Sequence, residues 1–360
     1  MTESSPIRVV SALELSPVDS QAIYHAVAEC FTPDTPDTVV LARPTSPYIC
    51  IGYHQDLDRE IDLEACRRNG LPVYRRQVGG GAVYLDRNQV FVQWIFDPRH
   101  IPRSLEKRYQ LYTQPLIATY NSYGVPATFR PVNDIHVGNR KIGGTGAATV
   151  GSAEVMVGSI LFDIDADAMA AALRVDSEKM RDKIAFGIKE YVTTLARETG
   201  KVIPQDEVLS TYLHHLDAVL QREHYFGVLT PEEEGHLLSV RERLLKPSWT
   251  QNGGGRRVIG TKIHEGVSLL RGVHKAPGGL IRWILLVEDG IVIDATLEGD
   301  FTVVPAESPK LLADLIVGNN SELGSLSQIV LAGFAEAVAS SPGVTAEDVV
   351  EALSKAFQPN

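Results

Sequence analysis

Short β-rich runs follow one another through the first half of the chain, each bounded by proline, glycine or aspartate. They are TVVLARP, YICIGYH, PVYRRQV, GAVYL and QVFVQWIF, with ATFRPVNDIHV and EVMVGSILFDI further along. Runs of this length and composition are typical of strands. The last two flank VGNRK, where Gly138 and Asn139 suit a tight hairpin turn. We therefore predict a mixed or antiparallel β-sheet.

Apolar residues at helical spacing lie on either side of these runs. They predict one helix from Asp19 to Phe31, with Asp19 as its N-cap, and another from Ser104 to Tyr123. Pro115 would bend the second helix or divide it in two. After EVMVGSILFDI the pattern becomes helical, through DADAMAAALRV, QDEVLSTYLHHLDAVL and TPEEEGHLLSVRERLL. Helices are thus expected to flank the sheet.

A change of composition marks the end of this first part. TPEEEGHLLSVRERLL opens with a capping signature, Thr230 with Glu233 three residues on, and is predicted to end at Lys246. The polar, glycine-rich stretch SWTQNGGGRRVIG follows. We therefore predict a domain boundary close to residue 248, with one domain over residues 1–247 and a C-terminal domain over residues 248–360.

The C-terminal part repeats the order of strands followed by helices. LIRWILLVEDGIVIDATLEGDF predicts two or three antiparallel strands, and helices are predicted to open at Ser308 and Thr345. Strands followed by helices in both parts indicate the α+β class. The fold expected is a mixed or antiparallel sheet flanked by helices, joined to a small α+β domain.

Charge limits the classes of function. The formal net charge is −11, which argues against a nucleic-acid partner because a phosphate backbone needs a basic footprint. Basic residues concentrate between Cys66 and Arg108, where they could receive an anionic ligand or an acidic protein; an ordinary solvated surface is the alternative. No secretory signal pattern and no long apolar run occur, so a cytoplasmic protein without a membrane partner is expected.

Cysteine and histidine patterns predict no metal centre. The three cysteines are Cys30, Cys50 and Cys66, and they show no C-x-x-C spacing. This pattern suggests neither a disulfide framework nor a zinc site and fits a reducing compartment. The histidines form no H-E-x-x-H motif, so a catalytic zinc site is not expected either.

Three consecutive glycines lie in RRQVGGGAVYLD, beside Arg75 and Arg76. Glycine amides at a strand end can approach a carboxylate or phosphate, since no Cβ blocks them. A β-bulge or a tightly packed strand crossing is the alternative. The segment lacks G-x-G-x-x-G, and the P-loop-like segments GAATVGS and GRRVIGTK lack a correctly placed lysine, so a Walker-type NTPase is not indicated.

A lysine follows the predicted hairpin turn in NDIHVGNRKIGGTGAA, residues 133–148. Lys141 stands at the head of a strand of small residues, which leaves room for a ligand along the strand. Its ammonium could neutralise a carboxylate and an α-phosphate together. A solvated hairpin lysine is the alternative.

RRQVGGGAVYLD, NDIHVGNRKIGGTGAA and VGSILFD occur in this order, and together they resemble the catalytic domain of the lipoate-protein ligase A family, which is related to biotin protein ligases. The resemblance covers roughly residues 8–245. The segments HKAPGGLIR and LEGDFTVVPAE resemble the accessory domain of that family, which is a separate chain in some relatives. The G-R-G-R loop typical of biotin ligases is absent.

The resemblance implies a set of site residues. Lys141 and Arg75 would be catalytic, and Lys141 would bind the carboxylate and the α-phosphate. Residues implied to bind lipoyl-adenylate or ATP, or to line the acyl pocket, are Gly79, Gly80, Gly81, Asn133, Asp134, Gly143, Gly144, Thr145, Ala147 and Lys179. The chain departs from the family at Leu85, where relatives commonly have histidine.

The resemblance also implies an activity. The family activates lipoate with ATP and Mg²⁺ to lipoyl-AMP, then transfers the lipoyl group to an acceptor lysine. The acceptor would be a lipoyl domain of a 2-oxoacid dehydrogenase E2 subunit, glycine-cleavage H protein or a lipoate-binding protein, and the ligase is expected to be a monomer. The metal ligands, the acceptor and the preferred acyl chain are not indicated by the sequence.

Two alternatives are left open by the residues. One is an octanoyltransferase of the same superfamily, which needs an activated cysteine near the lysine strand. No cysteine follows Cys66, which disfavours it. The other is a module that binds lipoate or an adenylate without catalysing transfer, an alternative raised by the change at Leu85.

Overall fold

The structure, a computed structural model, describes residues 5–175, 178–252 and 267–358. It divides into two compact units. The first comprises Met1–Cys50, Asp58–Tyr74 and Val83–Lys246, and the second comprises Ile51–Leu57, Arg75–Ala82 and Pro247–Asn360. Two N-terminal segments thus group with the C-terminal part, and the predicted division into residues 1–247 and 248–360 stays a prediction. The near-miss motif GRRVIGTK lies outside the described residues.

Strands and helices up to Lys246 occur in the order expected for a sheet with helices around it. The strands are β1 (Ile7–Leu15), β2 (Thr38–Pro44), β3 (Tyr48–Ile51), β4 (Val73–Arg75), β5 (Val83–Leu85), β6 (Gln89–Phe96), β7 (Ala127–Arg130), β8 (Asp134–Val137), β9 (Arg140–Val150), β10 (Ala153–Leu161) and β11 (His224–Gly227). The helices are α1 (Pro17–Glu29), α2 (Leu57–Glu60), α3 (Leu63–Arg68), α4 (Leu105–Ser122), α5 (Ala166–Ala172), α6 (Glu178–Tyr191), α7 (Leu195–Thr199), α8 (Gln205–Leu220) and α9 (Pro231–Leu245).

Most of these strands build one mixed sheet. Within the described residues its order is β11-β1-β2-β6-β10-β9-β8-β7. β1 pairs in parallel with β2 and β11, and the remaining neighbours are antiparallel. Every residue of the central strand β6 is buried, including its two glutamines. Burial on both faces explains why the rest of QVFVQWIF is apolar without alternation. A second sheet, in the order β4-β3-β5, carries the strands that flank the glycine stretch.

Helix termini confirm some predictions and correct others. The capping box of Thr230 and Glu233 is present at the start of α9. The prediction of Asp19 as the N-cap is wrong, because α1 begins earlier. Ser16 is the N-cap, and its hydroxyl oxygen accepts a hydrogen bond from the backbone amide of Asp19. Pro115 lies inside α4, which runs through it as one helix, so the proline does not divide the helix.

The second unit packs one antiparallel sheet against helices. Its elements are α10 (Pro247–Asn252), β12 (Val267–Ala276), β13 (Gly279–Glu288), β14 (Ile291–Gly299), α11 (Ser308–Ile316), α12 (Leu323–Ala337) and α13 (Ala346–Ala356). β13 is the middle strand of the sheet. Trp283 on β13 is fully buried in an apolar core, and its indole N–H donates to the Val349 carbonyl oxygen of α13 at 3.0 Å. The helices predicted to open at Ser308 and Thr345 are both present.

The α+β class predicted for both parts is confirmed. A mixed sheet is flanked by helices in the first unit, and strands precede helices in the second. Among the residues that the structure describes, no helix has both the length and the apolar character needed to cross a lipid bilayer.

Candidate active site

Lys141 stands where the β8–β9 hairpin departs from regular pairing. Its turn uses Gly138 at φ +57°, a left-handed conformation that favours glycine. His136 pairs with Lys141, but Ile135 pairs with Gly143, so β9 contains an additional residue at this point. Such a bulge bends the strand and changes the direction of a side chain. The predicted hairpin is confirmed, and the bulge determines where the lysine side chain goes.

The Lys141 side chain forms an ion pair on its own sheet. Its Nζ atom lies 2.7 Å from Oδ1 of Asp134, and the two side chains are 33% and 23% exposed. Gly144, the cross-strand partner of Asp134, makes this possible: a Cβ there would lie 2.9 Å from both Cε and Nζ of Lys141. The lysine is therefore held in a fixed position and is still accessible to a ligand.

His136 is the nearest neighbour of this pair that the sequence prediction omitted. Its Nε2 lies 3.7 Å from Oδ2 of Asp134, and Arg130 approaches its Nδ1 at 3.3 Å. Burial and the Arg130 guanidinium lower the pKa of His136, so the imidazole is neutral. The signal was present in DIHV, because residues two apart on a strand share a face and His136 therefore lies beside Asp134.

Asn133 and Thr145 form hydrogen bonds with each other at the other end of the β8–β9 pair. The Asn133 side-chain amide donates to the Thr145 carbonyl oxygen at 2.5 Å, and the Thr145 hydroxyl donates to the Asn133 carbonyl oxygen at 2.8 Å. The Thr145 amide donates to the same oxygen at 3.0 Å. Both side chains thus hold β9 in place. Their expected contacts with nucleotide or acyl chain remain predictions.

The remaining small residues of β9 leave little side-chain volume. Gly143 and Ala147 are buried, and a Cβ on Gly143 would make only ordinary contact with Ile135, at 3.5 Å. The structure thus places Lys141, Asn133, Asp134, Gly143, Gly144, Thr145 and Ala147 on one strand pair and the residue that precedes it. Lys179 belongs to α6, and its side chain lies outside the described part of the chain.

Arg75 belongs to the second unit and is 1% exposed. Its guanidinium donates to the carbonyl oxygens of Gly52, Tyr53, Gln55 and Thr250 at distances from 2.7 to 3.1 Å. Bonds to several carbonyls compensate a buried cation and cross-link the backbone segments that carry them. The catalytic role expected of Arg75 remains a prediction. In this structure the side chain bonds to the backbone of its own unit.

The glycine stretch packs tightly inside the second unit. A Cβ on Gly79 would lie 2.6 Å from the Phe301 carbonyl oxygen, and one on Gly52 would lie 1.8 Å from that of Gly80. Gly80 has φ +99°, and the Arg76 guanidinium donates to the carbonyl oxygen of Gly81 at 2.8 Å. Close packing of backbone, one of the two readings of the sequence, therefore accounts for Gly52 and Gly79 within this unit. The ligand contacts expected of Gly79, Gly80 and Gly81 stay predictions.

The cysteines have environments that do not favour nucleophilic catalysis. Cys50 and Cys66 are buried, and Cys30 is partly exposed. Burial, together with nearby carboxylates, raises the pKa of both the Cys30 and the Cys66 thiol to about 11. These two thiols are protonated near neutral pH, whereas a catalytic cysteine needs a lowered pKa.

Leu85, the position where relatives commonly have histidine, is buried on β5, opposite Tyr48.

Comparison with known proteins adds to this geometry. Residues 16–217 match the family described as the lipoyl protein ligase A/B catalytic domain. The lipoate-protein ligase LplJ of Bacillus subtilis is 25% identical over 301 residues, which are 82% of this chain and 86% of that protein. The octanoyltransferase LipM of Kyrpidia tusciae is 25% identical over 242 residues, 60% of this chain and 87% of its own.

Solved structures share the fold. Plasmodium falciparum LipL1 in complex with lipoate matches with a TM-score of 0.69 and 14% identity over 93% of this chain and 96% of its own. A lipoate-protein ligase A bound with ATP matches with a TM-score of 0.58 and 21% identity over 69% of this chain and 98% of its own. The resemblance found in the sequence motifs is thereby confirmed: this chain belongs to the lipoyl protein ligase A/B catalytic domain family.

Proposed function

We propose that this chain is an ATP-dependent lipoate-protein ligase, which activates lipoate as lipoyl-AMP and transfers the lipoyl group to a lysine of an acceptor domain. Membership of the family supports this proposal. The observation that carries it in the structure is Lys141, an oriented and partly exposed cation on a strand with little side-chain volume. A cation in this setting suits two anionic substrates that must approach each other.

In the first step an oxygen of the lipoate carboxylate attacks the α-phosphorus of ATP. A bond forms between this oxygen and phosphorus, the bond from phosphorus to the bridging oxygen breaks, and pyrophosphate leaves with the electron pair. Both reactants are negatively charged, and Lys141 would lower their repulsion and stabilise the charge that builds up on the phosphate. Asp134 would hold the ammonium in position until the substrates bind.

In the second step the deprotonated amine of an acceptor lysine attacks the carbonyl carbon of lipoyl-AMP. The bond from this carbon to the phosphate oxygen breaks, so that AMP leaves, and the amine loses a proton as the amide forms. We propose that the acceptor is a lipoyl domain of a 2-oxoacid dehydrogenase E2 subunit, glycine-cleavage H protein or a lipoate-binding protein, and that the ligase acts as a monomer in the cytoplasm. The odd number of cysteines and their lack of C-x-x-C spacing support a reducing compartment.

Mg²⁺ is proposed as the companion of ATP. Asp134 is the carboxylate beside Lys141, and one carboxylate together with nucleotide phosphates is a donor set that Mg²⁺ accepts. The residues present therefore fit the ion. When bound, it would neutralise phosphate charge, and Asp134 would be the carboxylate that holds it.

An octanoyltransferase is the second candidate, and the similarity to LipM favours it. A transferase of this kind needs a thiolate to form a thioester, and no ATP. The raised pKa values of Cys30 and Cys66 and the burial of Cys50 speak against it. A module that only binds lipoate or an adenylate is distinguished by its lack of lipoate-dependent ATP–pyrophosphate exchange.

The test is intact mass of a recombinant lipoyl domain after incubation with this protein, Mg·ATP and free lipoate, or with octanoyl-carrier protein and no ATP. We expect a lipoyl mass increase that requires ATP, that is lost in Lys141→Ala, and that survives replacement of Cys30, Cys50 and Cys66 by serine in a variant shown to be folded by circular dichroism. ATP-independent octanoyl transfer that disappears with the cysteines would establish the transferase. Size-exclusion chromatography with light scattering tests whether the protein is a monomer in solution.

A further inference from the structure

Three side chains of types that can bind a metal ion meet where the C-terminal end of α1 approaches α9, and neither helix carries a residue assigned to the Lys141 site. They are Cys30, Glu232 and His236, and their ligand atoms all lie within 4.8 Å of one another. Glu232 and His236 are four residues apart near the start of α9, so they share one face of that helix. Cys30 caps the C-terminal end of α1. All three belong to the first compact unit.

A fourth residue approaches the same histidine. Oε2 of Glu29 lies 3.5 Å from Nδ1 of His236, and Oε1 of Glu29 accepts a hydrogen bond of 2.5 Å from Arg243. Ligating histidines commonly contact a carboxylate through one ring nitrogen, which orients the ring. Arg243 fixes Glu29 in turn, so the histidine is oriented by a carboxylate that is itself held.

The geometry points to a Zn²⁺ site formed by Cys30, Glu232 and His236, and we propose that the ion joins the end of α1 to the start of α9. The Cys30 thiol would release its proton to solvent as the ion binds. The resulting thiolate, a carboxylate and a neutral imidazole form a ligand set that Zn²⁺ accepts, whereas Mg²⁺ and Ca²⁺ prefer oxygen ligands alone. Two anionic ligands would match the charge of the ion.

Solvent can supply the fourth ligand of the proposed Zn²⁺ ion. Glu232 is exposed, and Cys30 and His236 are partly exposed. A three-residue site at the surface therefore leaves a coordination position for water, as in other zinc sites with three protein ligands. The side chains need to move by only about an ångström, because tetrahedral ligands at about 2.0 to 2.3 Å from Zn²⁺ are about 3.3 to 3.8 Å apart.

The experiment is a Co²⁺ titration of the full chain after chelator treatment, monitored by the charge-transfer absorption that a cysteine thiolate gives with Co²⁺. We expect one equivalent to produce this band and Zn²⁺ to abolish it by competition. Cys30→Ser is expected to remove the band, and His236→Gln and Glu232→Gln to weaken Co²⁺ binding about tenfold or more. Zn²⁺ is expected to raise the Tm of the wild type and not that of His236→Gln.

His224→Gln is the matched control, because His224 also lies beside a carboxylate, 2.8 Å from Asp217, but has no cysteine in its cluster. It should bind Co²⁺ as the wild type does. Absence of the band in the wild type, or its persistence in folded Cys30→Ser, would overturn the proposal. So would equal Co²⁺ affinity in His236→Gln and the wild type.

Discussion

Asp134 and Gly144 face each other across β8 and β9, and the Lys141 side chain lies over the glycine to reach the aspartate. The space is available only because Gly144 lacks a Cβ, and the direction is available only because β9 bulges beside His136. One missing side chain and one additional residue thus position the cation on which the proposed chemistry depends.

Substitution of each partner of the Lys141–Asp134 ion pair should distinguish the effect of the lysine charge from the effect of its position. We expect Lys141→Ala to lower the rate of lipoate-dependent ATP–pyrophosphate exchange about 100-fold or more, as loss of an electrostatic stabiliser does. Asp134→Asn keeps the ammonium but loosens it, so a reduction of about tenfold is expected. Exchange kinetics measured at several lipoate concentrations check both. Full activity in Lys141→Ala would remove this lysine from the mechanism.

Substitution of adjacent glycines tests whether space at Gly144 matters. In Gly144→Ala the new Cβ would collide with the end of the Lys141 side chain and make an ordinary contact with Oδ1 of Asp134, so the fold should survive while the ammonium is displaced and exchange activity falls about tenfold. Gly143→Ala is the control for folding alone, because its Cβ would make an ordinary contact with Ile135 but Gly143 is itself expected to line the acyl pocket. Thermal unfolding is measured for both variants and the exchange rate for Gly144→Ala, in which unchanged activity would contradict the role given to Gly144.

The glycine stretch offers a matched pair for stability. A Cβ on Gly79 would collide with backbone atoms of Phe301 and Thr302, whereas the nearest atom to a Cβ on Gly81 is an Asp300 oxygen at 4.0 Å. We expect Gly79→Ala to lower the free energy of unfolding by about 1 to 3 kcal/mol, the usual cost of overpacking, and Gly81→Ala to change it much less. Urea denaturation provides the comparison. Similar values for the two variants would show that this backbone adjusts freely.

His54 should make stability dependent on pH. Burial and the Arg75 guanidinium lower the pKa of His54 from 6.5 to about 3, so the folded protein keeps the imidazole neutral. The unfolded chain takes up a proton below pH 6.5, and stability is therefore lost as pH falls from 6.5 towards 3. At pH 5 the loss from this group is about 2 kcal/mol.

Urea denaturation of the wild type and His54→Gln at pH 7.5 and pH 5 measures this contribution. Glutamine is uncharged at both pH values, so the variant should lose less stability between them. Its absolute stability is expected to be lower, since the His54 ring stacks on Phe301 with centroids 5.5 Å apart. An identical loss in both proteins would place the pH dependence elsewhere.

Local signals explain what could be predicted from the sequence. Strand runs, the hairpin at Gly138 and the capping box of Thr230 each depend on a few neighbouring residues, and all are present. The N-cap of α1 was missed because Ser16 and Asp19 are both good capping residues within one turn, and the hydrogen bonds alone distinguish them. The proximity of Lys141 and Asp134 follows from their place in one contiguous motif, and their roles in the site stay predictions.

Contacts between distant residues explain the rest. Arg75 was expected beside a ligand, yet its partners include Thr250, 175 positions along the chain, which no local pattern indicates. The cluster of Cys30 and His236 joins residues about two hundred positions apart and was equally inaccessible to a motif search. His136 is the exception, since the alternation of side chains along a strand was sufficient to find it.

The bonds between Arg75 and Thr250 bear on the order in which the chain becomes structured during synthesis. Arg75 is added to the chain 175 residues before Thr250, whose carbonyl group it will bind. At about 5 to 20 residues per second, the wait lasts from about ten seconds to more than half a minute. Through that interval the glycine stretch beside Arg75 lacks the Phe301 backbone against which it packs. The segment Arg75–Ala82 therefore reaches its final form only late in translation.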